Sequence, residues 1–126
     1  MDESSLLLRQ IPHSIEAEQS VLGAMLIDAR CIPDVVEALT GEDFYLKANR
    51  EIYETIYTMF NFSATIDPVT VLDQMKLTGV YDENTSRSYL LQLMEITPTA
   101  ANVKEYIRIV KDKALLRRIA ETAGEL

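Results

Sequence analysis

The chain has 126 residues, 48% of them hydrophobic, 25% charged and 7% aromatic, with a formal net charge of −8. That is enough apolar material for one globular domain burying roughly two thirds of its unfolded surface, and too much for a disordered chain. Four glycines and four prolines exclude a collagen-like or linker-like protein and leave little punctuation for a many-stranded β fold, so an all-α architecture is expected.

The amino terminus, Met1-Asp2-Glu3-Ser4-Ser5, is acidic, and only Leu6 to Leu8 precede Arg9. This is neither a signal peptide nor a membrane span, and a single cysteine, Cys31, excludes a disulfide framework. The expectation is a cytoplasmic protein with a disordered arm over residues 1–10 and a globular head over 11–98.

Ser14 stands before an apolar-periodic run, Ile15, Leu22, Met25 and Leu26, with Glu16 and Glu18 in the first turn, where the helix dipole favours anions. A first helix follows over about 15–28. Gly23 inside it costs about 1 kcal/mol against alanine, which close approach of a neighbouring helix would explain. Glu18 shares the stripe of Ile15 and Leu22, which suits a carboxylate tucked under a turn and hydrogen-bonded to backbone.

Pro33 suits the first turn of a short second helix ending at Leu39, before Thr40-Gly41. Glu42-Asp43-Phe44-Tyr45 reads as a turn that drops two aromatic rings onto the core. A third helix over about 46–61 puts Ile52, Ile56, Met59 and Phe60 on one face, with Tyr53 and Tyr57 at the core rim. Asp67-Pro68 starts a fourth helix that Gly79 stops, burying Val71, Leu72 and Met75. After the polar loop Val80–Ser86, Thr85 or Ser86 caps a fifth helix that holds Tyr89, Leu90, Leu93 and Met94 and closes at Pro98.

From about 100 to 126 one long helix is expected. At about 100° per residue, Val103, Tyr106, Ile107, Val110 and Ala114 fall on one face. Leu115, Leu116, Ile119, Ala123 and Leu126 fall on roughly the opposite one. A helix lying on one core keeps one stripe, so the second half packs on something beyond the head. Four large aliphatics contribute some 6 to 12 kcal/mol if fully buried, against an association cost of roughly 4 to 15 kcal/mol. Self-association through that stripe alone is therefore weak.

Charge is segregated too. Lys104, Arg108, Lys111, Lys113, Arg117 and Arg118 are six of the twelve basic residues, whereas the chain through residue 103 carries 16 acids and 6 bases. The basic segment is either a solvated helix face, a face that pairs with acidic heads of neighbouring subunits, or a nucleic-acid contact.

Catalytic chemistry is hard to build from these residues. The glycines at 23, 41, 79 and 124 are too dispersed for a phosphate-cradling loop, and His13, the single histidine, looks like a mobile surface turn residue that supplies neither a zinc site nor a triad. No catalytic, cofactor or metal residue is assigned, and no membrane contact is expected.

The segment Ile11-Pro12-His13-Ser14-Ile15-Glu16-Ala17-Glu18-Gln19-Ser20-Val21-Leu22-Gly23-Ala24 closely resembles the opening of bacterial replicative helicases of the DnaB type. Glu42-Asp43-Phe44-Tyr45, Asp67-Pro68-Val69-Thr70-Val71, Tyr89-Leu90, Pro98-Thr99-Ala100-Ala101-Asn102-Val103 and Lys113-Ala114-Leu115-Leu116-Arg117-Arg118 agree in order and spacing. The resemblance implies a multi-helix head followed by the start of a carboxy-terminal helical hairpin. It implies a hexameric helicase whose hairpins pair as a trimer of dimers in an amino-terminal collar. DNA primase docks on that collar, and a helicase loader is a further partner. ATP, Mg and most DNA contact belong to a motor domain further along the parent chain. Carried over by position, the primase-facing surface would include Tyr89, Ala120 and Leu126, and with Leu116, Ile119 and Ala123 of the outer stripe these make up the candidate primase or protomer interface. A stand-alone helical adaptor or regulator of the replisome is the other reading the residues allow.

Overall fold

Residues 11–124 are described by a computed structural model, and among them the chain forms helices and no strands. The helices are α1 (Ile15–Ile27), α2 (Ile32–Ala38), α3 (Lys47–Asn61), α4 (Pro68–Thr78), α5 (Ser86–Glu95) and α6 (Val103–Thr122), with 3₁₀ turns at Ala29–Cys31 and Gly41–Asp43. The arm expected over residues 1–10, and Leu126, lie outside the described residues.

The Ser14 hydroxyl caps α1, accepting from the Ala17 amide at 3.2 Å. Its sequence stripe suggests a one-sided helix, yet every residue from Val21 to Leu26 is buried while Ile15 at the start is exposed. α1 is the central helix, packed against α6, α5 and α3. The expected close approach at Gly23 is present: a methyl group built there would overlap the Thr97 hydroxyl and the Leu93 carbonyl oxygen at the end of α5.

Local chemistry sets the other boundaries. The second helical segment starts earlier than Pro33 because Asp28 Oδ1 accepts from the Arg30 amide at 3.1 Å and winds Ala29–Cys31 into a 3₁₀ turn. Asp67 and Thr70 cap α4 reciprocally at 2.9 Å, Pro68 occupies its first turn, and Gly79 ends it at φ 79° with the Val80 amide bonded to the Met75 carbonyl. Helix α3 stops in the same geometry, but with Ser63 at φ 54° where a glycine would be unstrained. In the last segment α6 begins at Val103 rather than 100, and Ala123 closes it.

The aromatic residues depart from expectation. Phe44 is fully buried, but Tyr45 beside it is exposed, so the 42–45 turn sends one ring, not two, into the core. Tyr53 is a core residue rather than a rim residue: it is 1% exposed, stacks on Phe44 at 4.7 Å and donates its hydroxyl to the Leu39 carbonyl at 2.6 Å. Tyr57 stays at the surface. No helix among the described residues is long and apolar enough to cross a membrane.

Candidate functional site

The residues expected to meet partners occupy two separate places. Tyr89, on α5, forms part of a cleft of about 560 Å³ lined by the apolar Leu46, Ile52, Met75 and Val80 and by polar residues that include Glu51 and Asp82. Leu116, Ile119, Ala120 and Ala123 lie on α6, and none of them lines that cleft.

Tyr89 is half-buried, and its hydroxyl is held within the domain. It donates to Asn49 Oδ1 and accepts from Gln19 Nε2 at 3.3 Å. Burial pushes its phenol up from the usual range, opposed by the Gln19 hydrogen bond. Asn49, fully buried, donates in turn to Glu18 Oε1 at 2.9 Å. Glu18 is 1% exposed and also accepts from the backbone amides of Tyr45 at 2.7 Å and Leu46 at 3.3 Å. The tucked-carboxylate reading of Glu18 therefore holds. One buried anion fixes the turn into α3 and, through Asn49, the tyrosine of the cleft. With its hydroxyl committed inside, Tyr89 offers a partner mainly its ring.

On α6 the inner face carries Val103, Ile107, Val110 and Ala114, all buried against the head. Leu115, Leu116 and Ile119 point elsewhere, with Leu116 46% and Ile119 56% exposed; Ala120 is half-buried and Ala123 exposed. The apolar contact with the head stops at Ala114, yet the helix does not leave the head there. Arg117, expected on a basic face turned to solvent, to a neighbouring subunit or to nucleic acid, is instead only 8% exposed. It donates from Nη1 to the Pro12 carbonyl and from Nη2 to the Asp43 carbonyl, both at 2.8 Å, with its guanidinium 5.4 Å from the Tyr45 ring centroid. That ring stacks on His13 at 4.5 Å, so the histidine is packed in place rather than a loose turn residue. Arg118 pairs with the buried Asp43 carboxylate, whose other oxygen accepts from the Thr40 amide at 2.8 Å. Burial lowers the Arg117 pKa, opposed first by Glu18 and then by Asp43.

Residue spacing gives a signal for Arg117: 103, 107, 110, 114 and 117 continue a single inner stripe, and an arginine at an inner position implies an acceptor beneath it. Of the basic run, Lys111 donates to the Ala38 carbonyl at 2.7 Å and Arg108 bridges Glu105 and Asp112. Four of its six cations are thus engaged within the chain. No group of three or more metal-ligating side chains exists among the described residues.

Residues 10–112 match the family model for the DnaB-like helicase N terminal domain. The chain is 39% identical over 118 residues to the replicative DNA helicase DnaB of Leifsonia xyli subsp. xyli, covering 94% of this chain and 26% of that protein. It is 40% identical over 115 residues to that of Geobacillus stearothermophilus, covering 91% and 25%. The chain therefore spans about a quarter of the length of these curated relatives. Among solved structures it resembles the N-terminal domain of DnaB helicase from Mycobacterium tuberculosis, with a TM-score of 0.86, 39% identity, and coverage of 91% of this chain and 83% of that one. The corresponding domain from Helicobacter pylori, described with its interactions with primase, shares the fold at a TM-score of 0.73 and 20% identity, covering 98% and 94%.

Proposed function

The chain belongs to the DnaB-like helicase N-terminal domain family, and from that membership we propose that it is the amino-terminal scaffold and partner-docking domain of a hexameric replicative DNA helicase. In this reading the outer stripe of α6 pairs protomers into the trimer-of-dimers collar, and the surface around Tyr89 receives DNA primase. A motor domain outside these residues binds ATP and Mg, contacts DNA and unwinds the fork in the cytoplasm, and a helicase loader engages the assembled ring.

The observation that carries the reading is the two-sided apolar pattern of α6. Its inner face is buried in the head, while Leu115, Leu116 and Ile119 stay exposed on the same helix. Isolated exposed leucines need no explanation, but three within five residues on a helix already anchored by its other face form a surface that suits coverage by protein. The primase part of the reading is supported by the Helicobacter pylori domain, which is described with its interactions with primase, and by the fixed ring of Tyr89 at an apolar cleft.

Calorimetric titration with the carboxy-terminal domain of the primase from the same genome tests it. Binding is expected, and Tyr89→Ala should weaken it at least tenfold, or about 1.4 kcal/mol, the scale of losing a central aromatic contact. No heat of binding with either protein would contradict primase docking. Loss of affinity only in proportion to unfolded protein would reassign Tyr89 to the core.

A further inference from the structure

We infer that Arg117, together with Lys111, is the positioning pair that fixes the register and direction of α6 on the head, and so the direction in which the Leu115, Leu116 and Ile119 stripe is offered. The inference rests on the proposed function only for what that stripe meets.

The end of α6 has no apolar anchor. Among the described residues, no apolar side chain of this helix beyond Ala114 is buried. Apolar packing ends at Ala114, about 12 Å along the same continuous helix from Thr122, so the seat of its last two turns on the head is not set by buried apolar side chains. What holds it is polar. Lys111 donates to the carbonyl of Ala38, the last residue of α2, and Arg117 to that of Asp43, the last residue of the 3₁₀ turn. Carbonyls at such ends have no partner within their own helix and sit at the negative end of its dipole, so each is a ready acceptor for a cation.

Two such bonds, about 9 Å apart along the α6 axis, define a line on the head. Sliding the helix by one turn, about 5.4 Å, would break both. Arg117 adds a third direction through Pro12 and a fourth contact over Tyr45, whose ring also stacks on His13. A planar fork with two donors aimed at two fixed carbonyls sets an orientation that a single ammonium cannot. Beneath it the socket is rigid: Glu18 holds the Tyr45 and Leu46 amides, and Asp43 holds both Thr40 and Arg118. The basic run that looks like a nucleic-acid or solvated face is thus in part a row of fasteners.

The test is a pair of spin labels on introduced cysteines at Glu95 on the head and Thr122 on α6, in the 126-residue chain with Cys31→Ala, read by pulsed dipolar spectroscopy. The unsubstituted clamp should give one narrow distance. Arg117→Met, with helix content and cooperative melting kept, should shift or broaden it by about 4 Å, the displacement at Thr122 when the whole helix tilts by about 10° about the middle of its apolar contact, roughly 20 Å away. Arg117→Lys should give an intermediate width and Lys111→Met a smaller change than either. An unchanged distance in Arg117→Met would overturn the inference. So would loss of the whole cooperative transition in both Arg117→Met and Arg117→Lys, because the residue would then be holding the head together. If only Arg117→Met fails to fold, the Arg117→Lys width decides. These distances do not depend on association, so a stripe that never pairs chains would remove the proposed collar and leave the clamp standing.

Discussion

Helix α1 and helix α6 are both rich in apolar residues, but the chain covers them differently. α1 is enclosed from Val21 to Leu26 by α3, α5 and α6, so its apolar surface is used within the domain except at its two ends, where Ile15 and Ile27 are exposed. α6 is covered on one face only, and Leu115, Leu116 and Ile119 on the other face have no cover among the described residues. The difference separates two uses of hydrophobic sequence: α1 holds the head together, and the outer face of α6 stays exposed, as the proposed protomer contact requires. It also separates two kinds of buried charge. Glu18 serves α1 by fixing the turn into α3, whereas Arg117 serves α6 by fixing how it lies on the head.

If α1 is the enclosed centre, its substitutions should have the largest effects. Glu18→Ala strands the amides of Tyr45 and Leu46 and the Asn49 side chain, and should cost about 4 kcal/mol by chemical denaturation. Gly23→Ala gains helix propensity but overlaps a backbone carbonyl that cannot withdraw, for a net loss of about 2 to 3 kcal/mol and a melting temperature lower by roughly 10 °C. The core also predicts an alkaline limit. Burial pushes the Cys31 thiol up from 9.0 to about 11 and moves the Tyr53 phenol in the same direction. Both groups ionise more readily unfolded, so their contribution is complete below pH 9 and falls away as the pH rises through 11, by about 2 kcal/mol for the thiol. Melting temperature against pH should show that fall, and Cys31→Ala should flatten its first part.

Surface positions should respond weakly. Ser63→Gly relieves the positive φ that ends α3 and should raise stability by about 0.5 to 1 kcal/mol. Leu116→Asp with Ile119→Asp should cost only about 1 kcal/mol of monomer stability, because both side chains are already about half exposed and the loss is mainly helix propensity and the dipole.

The helices and their ends were largely legible, because Ser14, Asp67-Pro68 and Gly79 act through contacts within a turn or two. The exposed stripe of α6 was legible as periodicity. What pattern missed depends on partners distant in sequence. Tyr53 reads like a rim tyrosine until Leu39 accepts its hydroxyl, and Arg117, although its spacing continues the inner stripe of α6, has acceptors 105 and 74 residues away in Pro12 and Asp43. Ser63 gives no local sign of its left-handed backbone, since nothing about serine prefers it. Tyr89 was found through resemblance, and the buried path from its hydroxyl through Asn49 to Glu18 could not be read from spacings of 40 and 31 residues.

The central claim is that the outer face of α6 is a surface for protein, and concentration-dependent sedimentation of the chain beside its Leu116→Asp, Ile119→Asp double variant tests it most directly. The three exposed aliphatics Leu115, Leu116 and Ile119, set against the cost of association, predict a weak, reversible dimer that appears only as concentration rises, and a double variant that stays monomeric while keeping the same helix content. Identical sedimentation of the two proteins at every concentration would contradict it.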